Sequence, residues 1–347
     1  MILNDLILDW FCLMNTRGVG IKTFWSMINV YKTAHEALKH IDNPFPRTKA
    51  EKILENIDCG IILANDKLFP KMIKRSDFCP PILYYKGDKT ILTKRKIAII
   101  GARNSSLNGQ KIARNFASNL ANNFAIVSGL ARGIDTSAHI GSMAVEKSAI
   151  AVVPFGFDNI YPKENTKLFH EISEHGLVLS AVQNGKSIDQ GMFHTRNRII
   201  ALMIEGLIII EAAYKSGTMA TATMALDCGC EIMVVPGTPS DPRNLGSNSL
   251  IQNGAHLIQN HFDVLEILCI NNNIKQLELP IHKDNTNTIS IKNNEFLSLL
   301  SEVPVSIDEL SVRLNMNIQD LLCLISEMEI AGRICRTVNN EIILNKV

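Results

Sequence analysis

From residue 96 to 237 the chain repeats one pattern: a short β-branched run, then a helix-length amphipathic stretch, with glycines at several of the turns between. The runs are KIAIIG (96–101), FAIVSG (124–129), AIAVV (149–153), GLVLS (176–180), GLIIIEA (206–212) and EIMVVPG (231–237). Strands that are apolar almost throughout need cover on both faces, and strand–helix–strand alternation supplies it in a parallel sheet. Right-handed crossovers then make the sheet doubly wound. The spacing therefore predicts a Rossmann-like α/β domain, mostly parallel, over 96–268. Ligands of such sheets bind beyond the carboxyl ends of the strands.

The flanks read differently. Residues 1–85 have helical apolar spacing (Leu3, Leu6, Ile7, Trp10, Phe11 and Met14, then Phe24, Trp25, Ile28 and Tyr31) and no clear strand alternation. A small helical domain of SAM or helix-hairpin-helix type is predicted there. Its turn TRGVGI (16–21) either offers N–H groups to a phosphate or simply joins two helices. Residues 270–294 are polar and Asn-rich, and read as a linker. The last segment has three helical patterns, at 295–301, 306–314 and 318–331, followed by a β pair at 333–336 and 341–344. That order is a winged helix, and Ser306 with Glu309 reads as a capping box. The would-be recognition helix carries Asp320, Glu327 and Glu329 but no Lys or Arg, so phosphate repulsion makes it a poor reader of duplex DNA. The predicted domain limits are 1–85, 86–269, 270–294 and 295–347.

Total charge does not announce a nucleic-acid protein, with 35 Lys plus Arg against 34 Asp plus Glu. A basic surface has to be local. One run provides it: Lys86, Lys89, Lys94, Arg95, Lys96, Arg103, Lys111 and Arg114 face the single acid Asp88 across 86–115. The eight cysteines are scattered and form no C-x-x-C pair, so no metal site is expected and the thiols read as reduced. The apolar N-terminal run is broken by Asp5 and Asp9, and the one at 201–213 contains Glu205 and Glu211 and is too short to span a bilayer. A soluble cytoplasmic protein without metal or cofactor is the expectation.

Four turns carry candidate binding chemistry. After the first strand comes GARNSSLNG (101–109), where Gly101 permits a tight turn and Arg103 brings a fork of donors suited to phosphate. G-x-G-x-x-G is missing and no acid ends the second strand, which argues against a dinucleotide enzyme. The second turn, SGLARGIDTSAH (128–139), holds Gly129, Arg132 and Gly133, with Asp135 and Thr136 as helix caps. His139 stands four residues after Asp135, so a side-chain hydrogen bond between them is expected, in preference to base catalysis. The third cluster, Phe193, Arg196, Asn197 and Arg198 at a helix start, combines backbone donors with an aromatic for base stacking. The fourth is the small-residue turn Ser216-Gly217-Thr218 after Glu211. Several anion-ready turns beside clustered cations favour a polyanion over one small phosphate.

Taken together these motifs resemble the DNA-processing protein A family (DprA/Smf). SGLARGIDTSAH at 128–139 agrees with that family's most characteristic block, and G-A-R at 101–103 with its first turn. Asp158, Tyr161, Pro162 and Asn165, then RNRII at 196–200, Glu211-Ala212 with Ser216-Gly217, Thr221-Ala222, Val235-Pro236-Gly237 and the 250–255 block follow in the family's order. The resemblance implies a homodimer that binds single-stranded DNA, shields it and helps load RecA during natural transformation: a mediator, not an enzyme. It implies that Arg103 holds DNA backbone, that Gly129, Arg132 and Gly133 shape the adjacent turn, that Phe193 meets a base, and that Arg196 and Arg198 line the groove. The chain departs from the family at Pro154-Phe155-Gly156, Ala181-Val182-Gln183, His194 and Cys230. A competing reading is a nucleoside-monophosphate phosphoribohydrolase, whose P-G-G-x-G-T-x-x-E block is represented here only by Glu211 with 216–218.

Overall fold

The computed structural model describes residues 4–145, 148–269, 296–300, 304–337 and 341–345, so the predicted linker and the first and last residues of the helix expected at 295–301 lie outside the described residues. Two compact units divide the chain, 1–271 and 272–347. The first begins with α1 (Asp5–Asn15), α2 (Ile21–Tyr31), α3 (Ala34–Lys39) and α4 (Arg47–Glu55). Side-chain caps fix two of these starts: Asn4 accepts from the Leu6 amide and Thr33 from that of Glu36. Trp10, Phe24 and Trp25 pack edge to face where α1 meets α2, with centroids 5.2–5.8 Å apart.

Residues 1–85 are not helical throughout. Strands β1 (Gly60–Leu63) and β2 (Ile82–Gly87), separated by α5 (Lys71–Arg75), join the central sheet. β2 is antiparallel to both β1 and β6. It is buried on both faces at residues 82–84, and so lacks the alternation that reveals a half-exposed strand.

The predicted strands appear as β3 (Lys96–Gly101), β4 (Ala125–Ser128), β5 (Ala149–Val153), β6 (Leu177–Ser180), β7 (Gly206–Ile210) and β8 (Glu231–Val234), joined at the far edge by β9 (His256–Leu257). The order is β1-β2-β6-β5-β4-β3-β7-β8-β9, parallel from β6 to β9. Helices α6 (Leu107–Leu120), α7 (Ile134–Met143), α8 (Thr166–His175), α9 (Gln190–Met203), α10 (Gly217–Asp227), α11 (Leu245–Gln252) and α12 (His261–Ile267) connect and cover it. Alternate residues of one strand feed opposite cores: Ile97 and Ile99 pack with α6, while Ala98 and Ile100 face the larger cluster that includes α9. Strand order reverses between β3 and β7, and there Gly101 pairs with Ile210 at the carboxyl ends. That is the switch point where such sheets bind ligands.

The second unit contains α13 (Ile307–Arg313), α14 (Ile318–Ile330) and the antiparallel pair β10 (Ile334–Arg336) and β11 (Ile342–Leu344). Ser306 caps α13, but only half of the expected capping box forms, because Glu309 pairs with Arg313. Among the described residues no helix is long and apolar enough to cross a membrane.

The basic run at 86–115 is not one patch. Lys96 opens β3 and Arg103 follows its end, about 16 Å along the strand. At the amino end Lys86 pairs with Asp58 at 2.8 Å and Arg95 with Glu205 at 2.6 Å, while Lys96 donates to the Leu92 and Lys94 carbonyls. Cations clustered along the chain are separated in space by the length of the strand between them.

A Cβ on Gly101 would fall on the Ile210 carbonyl oxygen and press on Ile134. Two neighbouring backbones have to part to admit it. Gly101→Ala is therefore expected to destabilise the first unit by about 2–4 kcal/mol, the upper range for overpacking, read as a shift in urea midpoint.

Candidate nucleic-acid interface

A cleft of about 800 Å³ opens at the switch point. Three strand-to-helix turns and one helix build it. The turn after β3 gives Gly101, Arg103 and Asn104; that after β4 gives Ala131 and Asp135; that after β7 gives Ser216, Gly217 and Thr218. Helix α9 closes one side with Phe193, His194, Arg196 and Asn197.

The β4 turn is organised from within. Its helix begins at Gly133, whose φ of 79° suits glycine, and whose site lies against the Ala102 and Arg103 carbonyls. Asp135, in the first helical turn, points back toward the loop, as Cα–Cβ bonds in helices do. Its carboxylate accepts from the amides of Gly129 (3.2 Å) and Ala131 (3.3 Å). Neither Asp135 nor Thr136 is the N-cap; Thr136 donates to the Ala131 carbonyl. Leu130 is held left-handed at φ 56°.

Arg196 completes this arrangement. It is 7% exposed, with its guanidinium 3.7 Å from Asp135. Gly129 leaves the room: a Cβ there would fall on the guanidinium. Among the described residues Arg196 Nε, itself buried, finds no acceptor, although the residue lines the cleft. Burial lowers the Arg196 pKa and raises that of Asp135, while each counters the shift of the other.

The expected Asp135–His139 hydrogen bond is absent. Asp135 reaches back to the loop, and both ring nitrogens of the fully buried His139 lack a partner among the described residues. Burial and then Arg196 push His139 down to about 3, so the ring is neutral in the folded protein.

Arg103 stands exposed at the rim, its guanidinium 5.6 Å from the Phe193 ring centre. Ser216 caps α10 by accepting from Met219, and Thr218 donates to the Gly101 carbonyl, tying the β7 turn to the β3 turn. Behind them Glu211, left-handed at φ 54°, accepts from the Ser106 amide at 2.8 Å and from the Ser106 hydroxyl. Its carboxylate thus sits at the start of α6, where the helix dipole favours it.

Of the residues singled out in sequence, Gly101, Arg103, Phe193, Arg196, Asn197, Ser216, Gly217 and Thr218 meet on the cleft. Gly129 and Arg132 line a small groove beside it, together with Arg103, Phe193 and Arg196. Two stand apart. Gly133 lies behind the β3 turn, and Arg198, on another side of α9, covers the Phe78 ring at 5.1 Å. Sequence reasoning missed Asn104, Asp189, Gln190 and Arg243 as lining residues. Arg243 had a signal: Asp241 two residues earlier clamps its guanidinium at 2.7 Å.

The departures from the family pattern have local partners. Pro154 lines the small groove and Phe155 is buried near Phe169. Gly156 permits close approach to Gln183 and Asn184, and the Asn184 side chain accepts from the Phe157 amide. Cys230 is buried, its thiol beside the Ala201 and Ile204 carbonyls. His194 stays exposed on the cleft wall.

Gly129→Ala is expected to expel Arg196 and break its buried pair, costing about 3–5 kcal/mol, measured by denaturant unfolding. A second expectation concerns acid. Unfolded, His139 titrates near ~6.5, so the unfolded chain binds its proton more tightly. Stability from this group is complete above that pH and declines below it by about 1.4 kcal/mol per unit until about pH 3. Asp135, raised, acts in the opposite sense. His139→Leu should flatten the stability curve between pH 6.5 and 4, followed by urea titration.

Comparison with known proteins bears on this geometry. Residues 60–269 match the family model for DNA recombination-mediator protein A, and 292–339 match a DprA winged helix domain. The chain is 37% identical over 206 residues to DNA processing protein DprA of Bacillus subtilis, covering 59% of this chain and 69% of that one. With DprA of Streptococcus pneumoniae it shares 37% over 200 residues, 58% of this chain and 71% of the relative. The X-ray structure of the pneumococcal protein superposes with a TM-score of 0.61 at 30% identity, covering 72% of this chain and 87% of that one. A Helicobacter pylori DNA processing protein A, solved for its single-stranded DNA binding mode, superposes at 0.55 with 30% identity over 62% of this chain and 97% of the other. Sheet, switch-point cleft and matched span agree: the chain belongs to the DNA recombination-mediator protein A family.

Proposed function

We propose that the switch-point cleft binds single-stranded DNA, and that the protein shields the strand and helps load RecA onto it during DNA uptake or recombination. The observation that carries this reading is the convergence on one cleft of an exposed arginine, Arg103, an aromatic, Phe193, and a nearly buried guanidinium, Arg196, in its wall. The start of α10 adds amides and the positive end of a helix dipole. Phosphates along one wall and a base against Phe193 use these groups together. The single-stranded DNA binding mode of the Helicobacter pylori relative supports the choice of ligand, and the family's character as recombination mediators supports the RecA step.

The protein acts, on this reading, as a cytoplasmic binding protein and not as an enzyme. The one acid that a nucleotide hydrolase would recruit, Glu211, is engaged by Ser106 at the start of α6. Self-association as a homodimer is also proposed. β9 is an edge strand with Leu257 48% exposed, and Phe262 beside it is 55% exposed, a combination that invites pairing with a second copy.

Retention of a labelled oligonucleotide at low salt tests the DNA reading. Arg103→Ala should weaken binding by about 1.5–3 kcal/mol, the worth of a charge-assisted hydrogen bond, and lower the salt slope by about 0.7. Equal binding by parent and variant, or release of free base from a mononucleotide that depends on Glu211, would sink it. Leu257→Lys should shift the protein toward monomer in light scattering; an unchanged mass would remove this edge as the dimer face.

A further inference from the structure

Two aromatic rings stand at right angles in the small groove beside the cleft. Tyr161 and Phe193 have centroids 6.3 Å apart and planes at 89°. Tyr161 is 43% exposed. Arg103 lies over Phe193, so guanidinium and ring form one platform on which a base can stack. Tyr161 forms another, facing a different direction. Arg132, exposed on the same groove and only loosely paired with Glu164 at 3.7 Å, is placed for a backbone phosphate beside it.

We propose that Tyr161 is a second base-stacking position, and that a strand passing from Phe193 to Tyr161 has its base stack opened at that step. This rests on the reading of the cleft as a single-stranded DNA site and adds a path to it. Every base has a π-face, so aromatic platforms hold bases with little regard to sequence. Bases on two perpendicular platforms cannot also lie on each other. The 6.3 Å between ring centres exceeds the ~3.4 Å of one stacked step as well. The arrangement therefore selects against duplex DNA, whose bases are held paired and stacked. Selectivity for single strands comes from ring orientation, while the cations supply affinity.

The test uses the full chain and single-stranded oligonucleotides carrying 2-aminopurine at successive positions, since this base brightens when unstacked. With the parent protein, one position is expected to brighten on binding; if none does, the proposal falls. Tyr161→Leu should abolish that brightening and weaken single-strand binding roughly five- to a hundredfold, with melting temperature and far-UV circular dichroism unchanged. Tyr161→Phe, which keeps the ring, should restore both. Binding by Tyr161→Leu within twofold of the parent, while Arg103→Ala binds more weakly by the amount given above, overturns the Tyr161 assignment and leaves the cleft reading standing. Unchanged binding by Arg103→Ala overturns the cleft reading itself.

Discussion

The carboxylate of Asp135, buried inside the turn it caps from below, is the interaction on which the site depends. It takes two loop amides and the Arg196 guanidinium, and so links β4, α7 and α9 through one group. In many doubly wound proteins the corresponding turn receives a ligand phosphate. Here the anion is built in. The loop amides of this turn are thus already engaged, and the donors open to an outside anion are those of the neighbouring turns and of Arg103 at the rim.

This internal bonding has visible costs. Leu130 and Glu211, both buried and neither glycine, are held in the left-handed region at turns bordering the cleft. Among the described residues Arg196 keeps one N–H without a partner, and His139 keeps two ring nitrogens without one. Strained backbone and unmet polar atoms concentrate at functional sites, where surrounding structure over-determines them. Elsewhere in the first unit the central strands β3 to β7 are apolar on both faces.

Much of this is legible in the chain. Six strands can be read because parallel strands covered on both faces appear as continuous apolar runs. Glycines at 101 and 129, the arginines at 103 and 196 and the aromatic at 193 stand out because each lies beside such a run. β1 and β2 are hidden, since each is a short apolar run without alternation and lies outside the strand–helix repeat that marks the others. The Asp135–His139 pairing fails for a local reason: spacing of four residues says that two side chains share a helix face, not that the first abandons the loop behind it.

The sequence by itself determined the parallel sheet, the glycine turns and the family, because these follow from periodicity and from residues adjacent along the chain. Only the tertiary structure decided which cations share a surface. Arg95 and Lys96, close to Arg103 in number, end up at the opposite end of β3, and Lys86 on β2 beyond β4, β5 and β6, whereas Arg196 and Arg243, far away in number, line the same cleft as Arg103. A strand separates its ends by its length, and crossovers return distant segments to the same end of the sheet. The glycine turns thus marked where the site would form, and folding chose the charges that serve it.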